Sequence, residues 1–170
     1  MSQQRLRLIV ISLACICAFG WFLWWRSPSV QAERTFTLVR NAIENGRANG
    51  VMDALHPNYD FNKSWPNQIS GDAGELIGNG AMRVLVMRGL TTLFNLQQAD
   101  PFVFNYTIHS ISALDDGTYA VTVSITLLTR AGERPLTFTP PLNGQRFILA
   151  HSGWGPGLAI IGHSAFTAAY

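Results

Sequence analysis

The chain has 170 residues, with twelve Lys or Arg against ten Asp or Glu and two cysteines. Three of the basic residues (Arg5, Arg7, Arg26) crowd the N-terminus, so the stretch from Glu33 onward carries nine bases against ten acids and is near neutral. That balance leaves no basic stripe to track a phosphate backbone and argues against nucleic-acid binding, while Cys15 and Cys17, both near the N-terminus, leave the rest of the chain without a disulfide, a thiol nucleophile or a thiolate metal site.

The first element is an uncharged apolar run, Leu8 to Trp25. Eighteen such residues at ~1.5 Å each suffice for a tilted helix across a ~30 Å hydrocarbon core. Trp21, Trp24 and Trp25 stand at its C-terminal end, where indoles favour the membrane interface, and Arg26 follows directly. Arg5 and Arg7 place the short N-terminal stub on the cytoplasmic side by the positive-inside bias. The organisation expected is a cytoplasmic stub at 1–7, a transmembrane helix at 8–25, a short linker at 26–32 and an extracytoplasmic domain at 33–170. The corresponding location is a bacterial-type inner membrane, single-pass, with the domain in the periplasm or outside the cell. Val30-Gln31-Ala32 also fits a small-x-small signal-peptidase site, so the alternative is cleavage after Ala32 and release into the periplasm.

Within the domain, Phe36, Val39 and Ile43, with Leu38 and Ala42 beside them, recur at helical spacing from Glu33 to Asn45, and Gly46 serves as a C-cap. A second short helix spans Val51 to Leu55 and stops at Pro57. Residues 57–80 are rich in Gly, Pro, Asn and Asp. They read as an extended piece from Tyr59 to Trp65 and one turn from Ala73 to Ile77. Ala81 to Gln98 is the longest helix, its core stripe Met82, Leu85, Val86, Leu90, Leu93 and Phe94, with Arg83 and Arg88 on the wetter side.

The period then changes to two. Phe102, Phe104, Tyr106 and Ile108 alternate with Val103, Asn105, Thr107 and His109, Asp115-Asp116-Gly117 turns the chain, and Tyr119 to Leu127 alternate again. Leu136 to Thr139 is a further short strand. Arg146 to His151 and Leu158 to Ser164 complete the set across a Gly-Trp-Gly-Pro-Gly turn. Helices first and antiparallel strands afterwards predict an α+β domain with the helices on one face of the sheet.

This order, with the stretches Val39–Gly46 and Val51–Phe61 and the terminal Gly153-Trp154-Gly155-Pro156-Gly157-Leu158-Ala159-Ile160-Ile161-Gly162, resembles the NTF2-like (SnoaL-like) superfamily. The resemblance implies helices packed on one strongly curved antiparallel sheet, the cone of that superfamily, enclosing a conical pocket. It also implies that sheets can pair face to face in a homodimer. Its enzymes carry a carboxylate or a histidine in the pocket for proton transfer, and many members are not enzymes.

The candidates for such chemistry are Asp53, Asp60, Tyr106 and His151, since burial raises a carboxylate pKa toward neutrality and a phenol can polarise a carbonyl. Each has a plainer role. Asp53 and Asp60 stand beside turns as caps or solvated residues, and Tyr106 falls in the apolar phase of its strand as a core residue. His151 shares phase with Phe147 and Leu149 and is predicted to look inward. His109 is on the phase opposite Tyr106, and His163 on the phase opposite Ile160. No metal-ligand spacing, phosphate loop or Gly-x-Ser-x-Gly elbow is present in the sequence, so no cofactor and no metal are expected. The expectation is a membrane-anchored, non-enzymatic module that binds an envelope partner protein or a small apolar ligand. The alternative is a SnoaL-like acid–base enzyme, an isomerase or dehydratase, acting on a small organic substrate.

Overall fold

The computed structural model describes residues 3–61, 78–97, 100–129, 144–153 and 157–164, with the side chains of 3–9 and 164 excepted. Among them the architecture is α+β: four helices, α1 (Gln3–Trp25), α2 (Pro28–Glu44), α3 (Ala48–Asp53) and α4 (Asn79–Leu96), and four strands, β1 (Phe102–Ala113), β2 (Tyr119–Thr129), β3 (Gln145–His151) and β4 (Leu158–Ser164). The strands form one antiparallel sheet in the order β1-β2-β3-β4, each hydrogen-bonded to its neighbour in sequence. The expected extended piece after Phe61, the turn at Ala73–Ile77 and the strand at Leu136–Thr139 lie outside the described residues.

α1 is helical throughout, and its apolar side chains are open to the surroundings: Ile16 is 68% and Trp21 66% exposed. Among the described residues no single helix is long and apolar enough to cross a membrane; the stretch Val10–Trp25 meets that measure only together with α2, across a 58° bend.

α2 starts five residues earlier than the apolar period suggested. Pro28 occupies the first turn, where its fixed φ suits the helix and its missing N–H is not needed, and Ser27 is the extended N-cap. The residues read as a linker therefore belong largely to the helix, and Gln31 and Ala32 are buried at 3% and 0% exposure. α2 ends as expected at Gly46, whose φ of +62° is the left-handed conformation that favours glycine. The amide of Gly46 donates to the Ile43 carbonyl at 3.0 Å and that of Arg47 to the Ala42 carbonyl at 2.8 Å, the paired bonds of a Schellman cap. α3 then folds back so closely on α2 that a Cβ on Gly50 would lie 2.9 Å from Cβ of Ala42.

The core lies between the helices and one face of the sheet. Phe36, Met52, Met82, Val121, Val123 and Leu149 are its buried centre, each worth about 1.5–3 kcal/mol relative to exposure. A second cluster, Ala48, Phe94 and Phe102, closes the end where α4 meets β1. The helical stripes are narrower than the sequence suggests: Leu38 of α2 is exposed, and so are Leu85 and Leu93 of α4, which turns Met82, Val86, Leu90 and Phe94 toward the domain. Arg83, placed on the wetter side by its charge, bends back so that its guanidinium donates to the Met52 carbonyl at 3.2 Å.

Both sheet edges are tied to the helices. Residues after α3 run beside β4, with the His56 amide donating to the Ile160 carbonyl at 2.8 Å and the Ile160 amide to the Ala54 carbonyl at 3.0 Å. At the other edge the Phe104 amide donates to the Glu44 carboxylate at 3.3 Å. The pairing register shifts once between Ile108 and Ser110, and once opposite Ile148 and Leu149, where Ile161 is the extra residue. Such bulges bend a strand and reverse the face its later residues present.

Candidate functional site

The helix-facing side of the sheet carries an aromatic row. Tyr106 of β1 lies 5.6 Å, centroid to centroid, from Phe36 of α2; Phe36 lies 5.2 Å from Phe147 of β3; and Phe147 lies 4.8 Å from the imidazole of His163 on β4. Phe36 is sealed at 1% exposure, whereas Tyr106, Phe147 and His163 are half-buried. Ile108, Ile111 and Ile125 are half-buried on the same face, so this face is packed against Phe36 and left partly open beside it. The row has a polar group at each end.

At the β1 end the Tyr106 hydroxyl donates to a carboxylate oxygen of Glu33 at 2.8 Å, and the Thr37 hydroxyl, also 2.8 Å away, donates to the phenol oxygen. The Arg40 guanidinium lies over the phenol ring, 5.7 Å from its centroid. Burial pushes the Tyr106 phenol up from its ordinary pKa; the Thr37 bond opposes the shift and the Glu33 carboxylate adds to it. At the β4 end Nε2 of His163 donates to Oε1 of Gln145 at 2.6 Å, and Gln145 is 2% exposed. A buried carboxamide holding an imidazole fixes the ring beside Phe147.

The expected site residues do not converge. Asp53, at the end of α3, and Asp60 are exposed, and Tyr106 is engaged by α2. His151 keeps the phase of Leu149 but is exposed, because β3 ends there, beyond the helices; its ring meets Tyr119 edge-on at 6.2 Å. The expectation that it is the inward histidine is therefore corrected: the inward one is His163. Strict alternation from Ile160 puts His163 on the outer face, but the bulge at Ile161 restores it to the inner one, opposite Phe147. Gln145 was missed for a related reason, since a lone Gln at a strand start carries no apolar signal. Glu33 was missed because its partner lies 73 residues away.

On the outer face His109, the residue at the β1 bulge, has Nε2 2.7 Å from the Ser124 hydroxyl. Two open polar hollows of about 290 and 440 Å³ flank Gly46 and Asn95, away from the aromatic row. Among the described residues no group of three or more His, Cys, Asp and Glu is placed to hold a metal ion.

Solved structures share this fold. Aln2 from a Streptomyces species matches with a TM-score of 0.54 at 12% identity, over 81% of this chain and 89% of that one. A structure from Catenulispora acidiphila matches at 0.57 and 16% identity, over 79% and 87%, and one from the same organism in complex with S-DNPA at 0.51 and 14%, over 80% and 90%. No family model matches the chain, and no curated protein does. At such identities the likeness extends to the fold and carries no activity with it.

Proposed function

We propose that the chain is a single-pass membrane-anchored, extracytoplasmic module that binds, without catalysis, a small apolar ligand on the helix-facing side of its sheet. The observation that carries this reading is the aromatic row: half-buried Tyr106, Phe147 and His163 beside a sealed Phe36, with half-buried isoleucines around them. Apolar sites with a few fixed polar groups are the usual form of a small-molecule site. One Catenulispora acidiphila structure of this fold is in complex with S-DNPA. The anchor reading rests on the uncharged run Leu8–Trp25 of α1, whose apolar side chains from Val10 onward find no cover in the domain. Burial of Gln31 and Ala32 favours retention of the anchor over cleavage after Ala32, because cleavage there would remove part of the core.

The test combines mass and binding. The intact protein is taken from membranes, its mass measured, and its bound molecules identified by native mass spectrometry and by crosslinking. The expected result is an uncut chain carrying a small apolar molecule, lost in Ile125→Asn. Recovery only of a chain starting at Glu33 overturns the anchor. A crosslinked protein partner with no small molecule moves the reading to an envelope partner or to a second copy through the sheet.

One observation favours the second reading, a SnoaL-like acid–base enzyme. His163 puts an imidazole, held by Gln145, beside that apolar row. A compound found in the native protein and converted by it, with conversion lost in His163→Gln and binding kept, would establish that reading.

A further inference from the structure

Only Arg26 and Ser27 separate α1 from α2, and hydrogen bonds continue across the break: the Arg26 amide donates to Phe22 and the Ser27 amide to Trp24, both at 3.0 Å, and the Gln31 amide to Ser27 at 3.1 Å. The Gln31 side chain, 3% exposed, donates its amide to the carbonyl of Trp25, one of the C-terminal carbonyls an α-helix leaves without an internal partner. The Arg34 guanidinium lies 4.5 Å from the centroid of the Trp25 ring. One turn further, the Thr35 hydroxyl, itself buried, donates to the Leu158 carbonyl at 2.7 Å, which fastens the same stretch of α2 to the sheet. Rotation of α1 against the domain therefore breaks a half-buried hydrogen bond and a ring contact together. A flexible tether has neither.

The same corner is rimmed by indoles and cations. Trp21 and Trp24 are exposed and lie 5.1 Å apart, and Arg26 sits 5.3 Å from the Phe22 ring centroid. No acid stands in the first turn of α2, and the next one along the helix, Glu33, accepts from the Tyr106 hydroxyl. A guanidinium whose face rests on a ring keeps its N–H edges for a phosphate, which it binds bidentately. Indoles and arginines at the end of an apolar helix belong to the headgroup layer.

We infer that the α1–α2 corner is a stiff joint seated among phospholipid headgroups: Arg26 and Arg34 hold anionic lipid phosphates, and Gln31 fixes the angle at which the domain stands on the bilayer. This rests on the membrane reading given above. It goes further by making anchor and domain one body whose orientation is set, so that the binding face is presented at a constant height and direction.

The test uses the full chain in vesicles of phosphatidylcholine, alone or mixed with phosphatidylglycerol. Flotation comes first: a chain that does not float with the vesicles refutes the membrane reading and the joint with it. For a floating chain, spin labels on Cys17 (with Cys15→Ala) and on Asp115→Cys in the exposed β1–β2 turn report the distance between anchor and domain. One narrow distribution is expected, widening at least twofold in Gln31→Ala with Arg34→Ala and in a chain with a Gly-Ser insert between Ser27 and Pro28. Spin-labelled phosphatidylglycerol is expected to be held more than phosphatidylcholine by about a fivefold factor per arginine, and equally in Arg26→Gln with Arg34→Gln. A floating parent chain as broad as the insert variant overturns the joint. A lipid preference unchanged in the double arginine variant overturns the headgroup site. Arg34→Gln alone, at an exposed position outside the core, keeps the test available if Gln31→Ala unfolds the domain.

Discussion

The Tyr106 hydroxyl donates to the Glu33 carboxylate across 2.8 Å and so ties the first strand of the sheet to the helix that enters the domain. The pair is partly open to water, which limits its worth. Tyr106→Phe should cost about 1 kcal/mol, and a double-mutant cycle with Glu33→Gln should return a coupling of the same order. Urea midpoints of the four chains measure it; zero coupling sinks the pairing.

The same phenol gives a pH dependence. Its pKa is raised in the folded chain, chiefly by burial, so the folded state holds the phenolic proton at pH values where the unfolded state has lost it. The stabilisation is complete below the ordinary phenol pKa of ~10 and is lost as pH rises through the higher folded value. Stability should thus fall on the alkaline side, and less steeply in Tyr106→Phe. A parallel loss in both chains is the contrary outcome.

Thr35 is buried, and its hydroxyl bonds both the Gln31 carbonyl, at 3.0 Å, and the Leu158 carbonyl on β4. Thr35→Val keeps the shape and leaves the Leu158 carbonyl without that donor, at about 1–3 kcal/mol. Denaturant unfolding checks the size. Amide exchange should rise first in β4 and in the residues paired to it.

Gln145→Leu removes the buried acceptor of His163 at nearly constant volume. The loss expected is about 1–3 kcal/mol, and the imidazole resonances of His163 should lose the fixed environment given by the bond and by Phe147. An unchanged histidine spectrum would show that Gln145 does not position the ring.

Gly46 needs its left-handed φ, and a Cβ there would sit 3.6 Å from Cβ of Phe94, an ordinary contact. The cost of Gly46→Ala is then conformational, about 1–2 kcal/mol. Gly46→Asn, which tolerates that φ, should recover part of it. Equal losses for the two would point to crowding instead.

A chain begun at Glu33 lacks Ala32 and Gln31, both buried, and the first turn of α2. It should be less stable than one begun at Ser27 by about 2–5 kcal/mol, the range for emptying a buried site. Equal midpoints for the two chains would remove the structural objection to cleavage after Ala32.

Much of the fold was legible because each element announces itself by period. The β4 boundaries came out as read, the two long helices within a few residues of theirs, and Gly46 and Asp115-Asp116-Gly117 marked real turns. Where residues 26–32 were read as a linker, the polar composition misled: Ser, Gln and Ala suit a loop, a cleavage site or a helix start equally, and only packing against β4 selects the last. Leu85 and Leu93 misled in the other direction, since an apolar residue at helical spacing is a core residue only if something lies opposite it.

By itself the sequence determined the order of helix and strand, the near-neutral thiol-free domain and the apolar character of α1, because hydrophobic period and charge are local properties. The tertiary structure alone decided which histidine looks inward, which partner Tyr106 takes and where α2 begins. A one-residue bulge reverses every later side chain in a strand, and bonds such as Glu33–Tyr106 and Thr35–Leu158 join residues whose proximity exists only once the chain is folded.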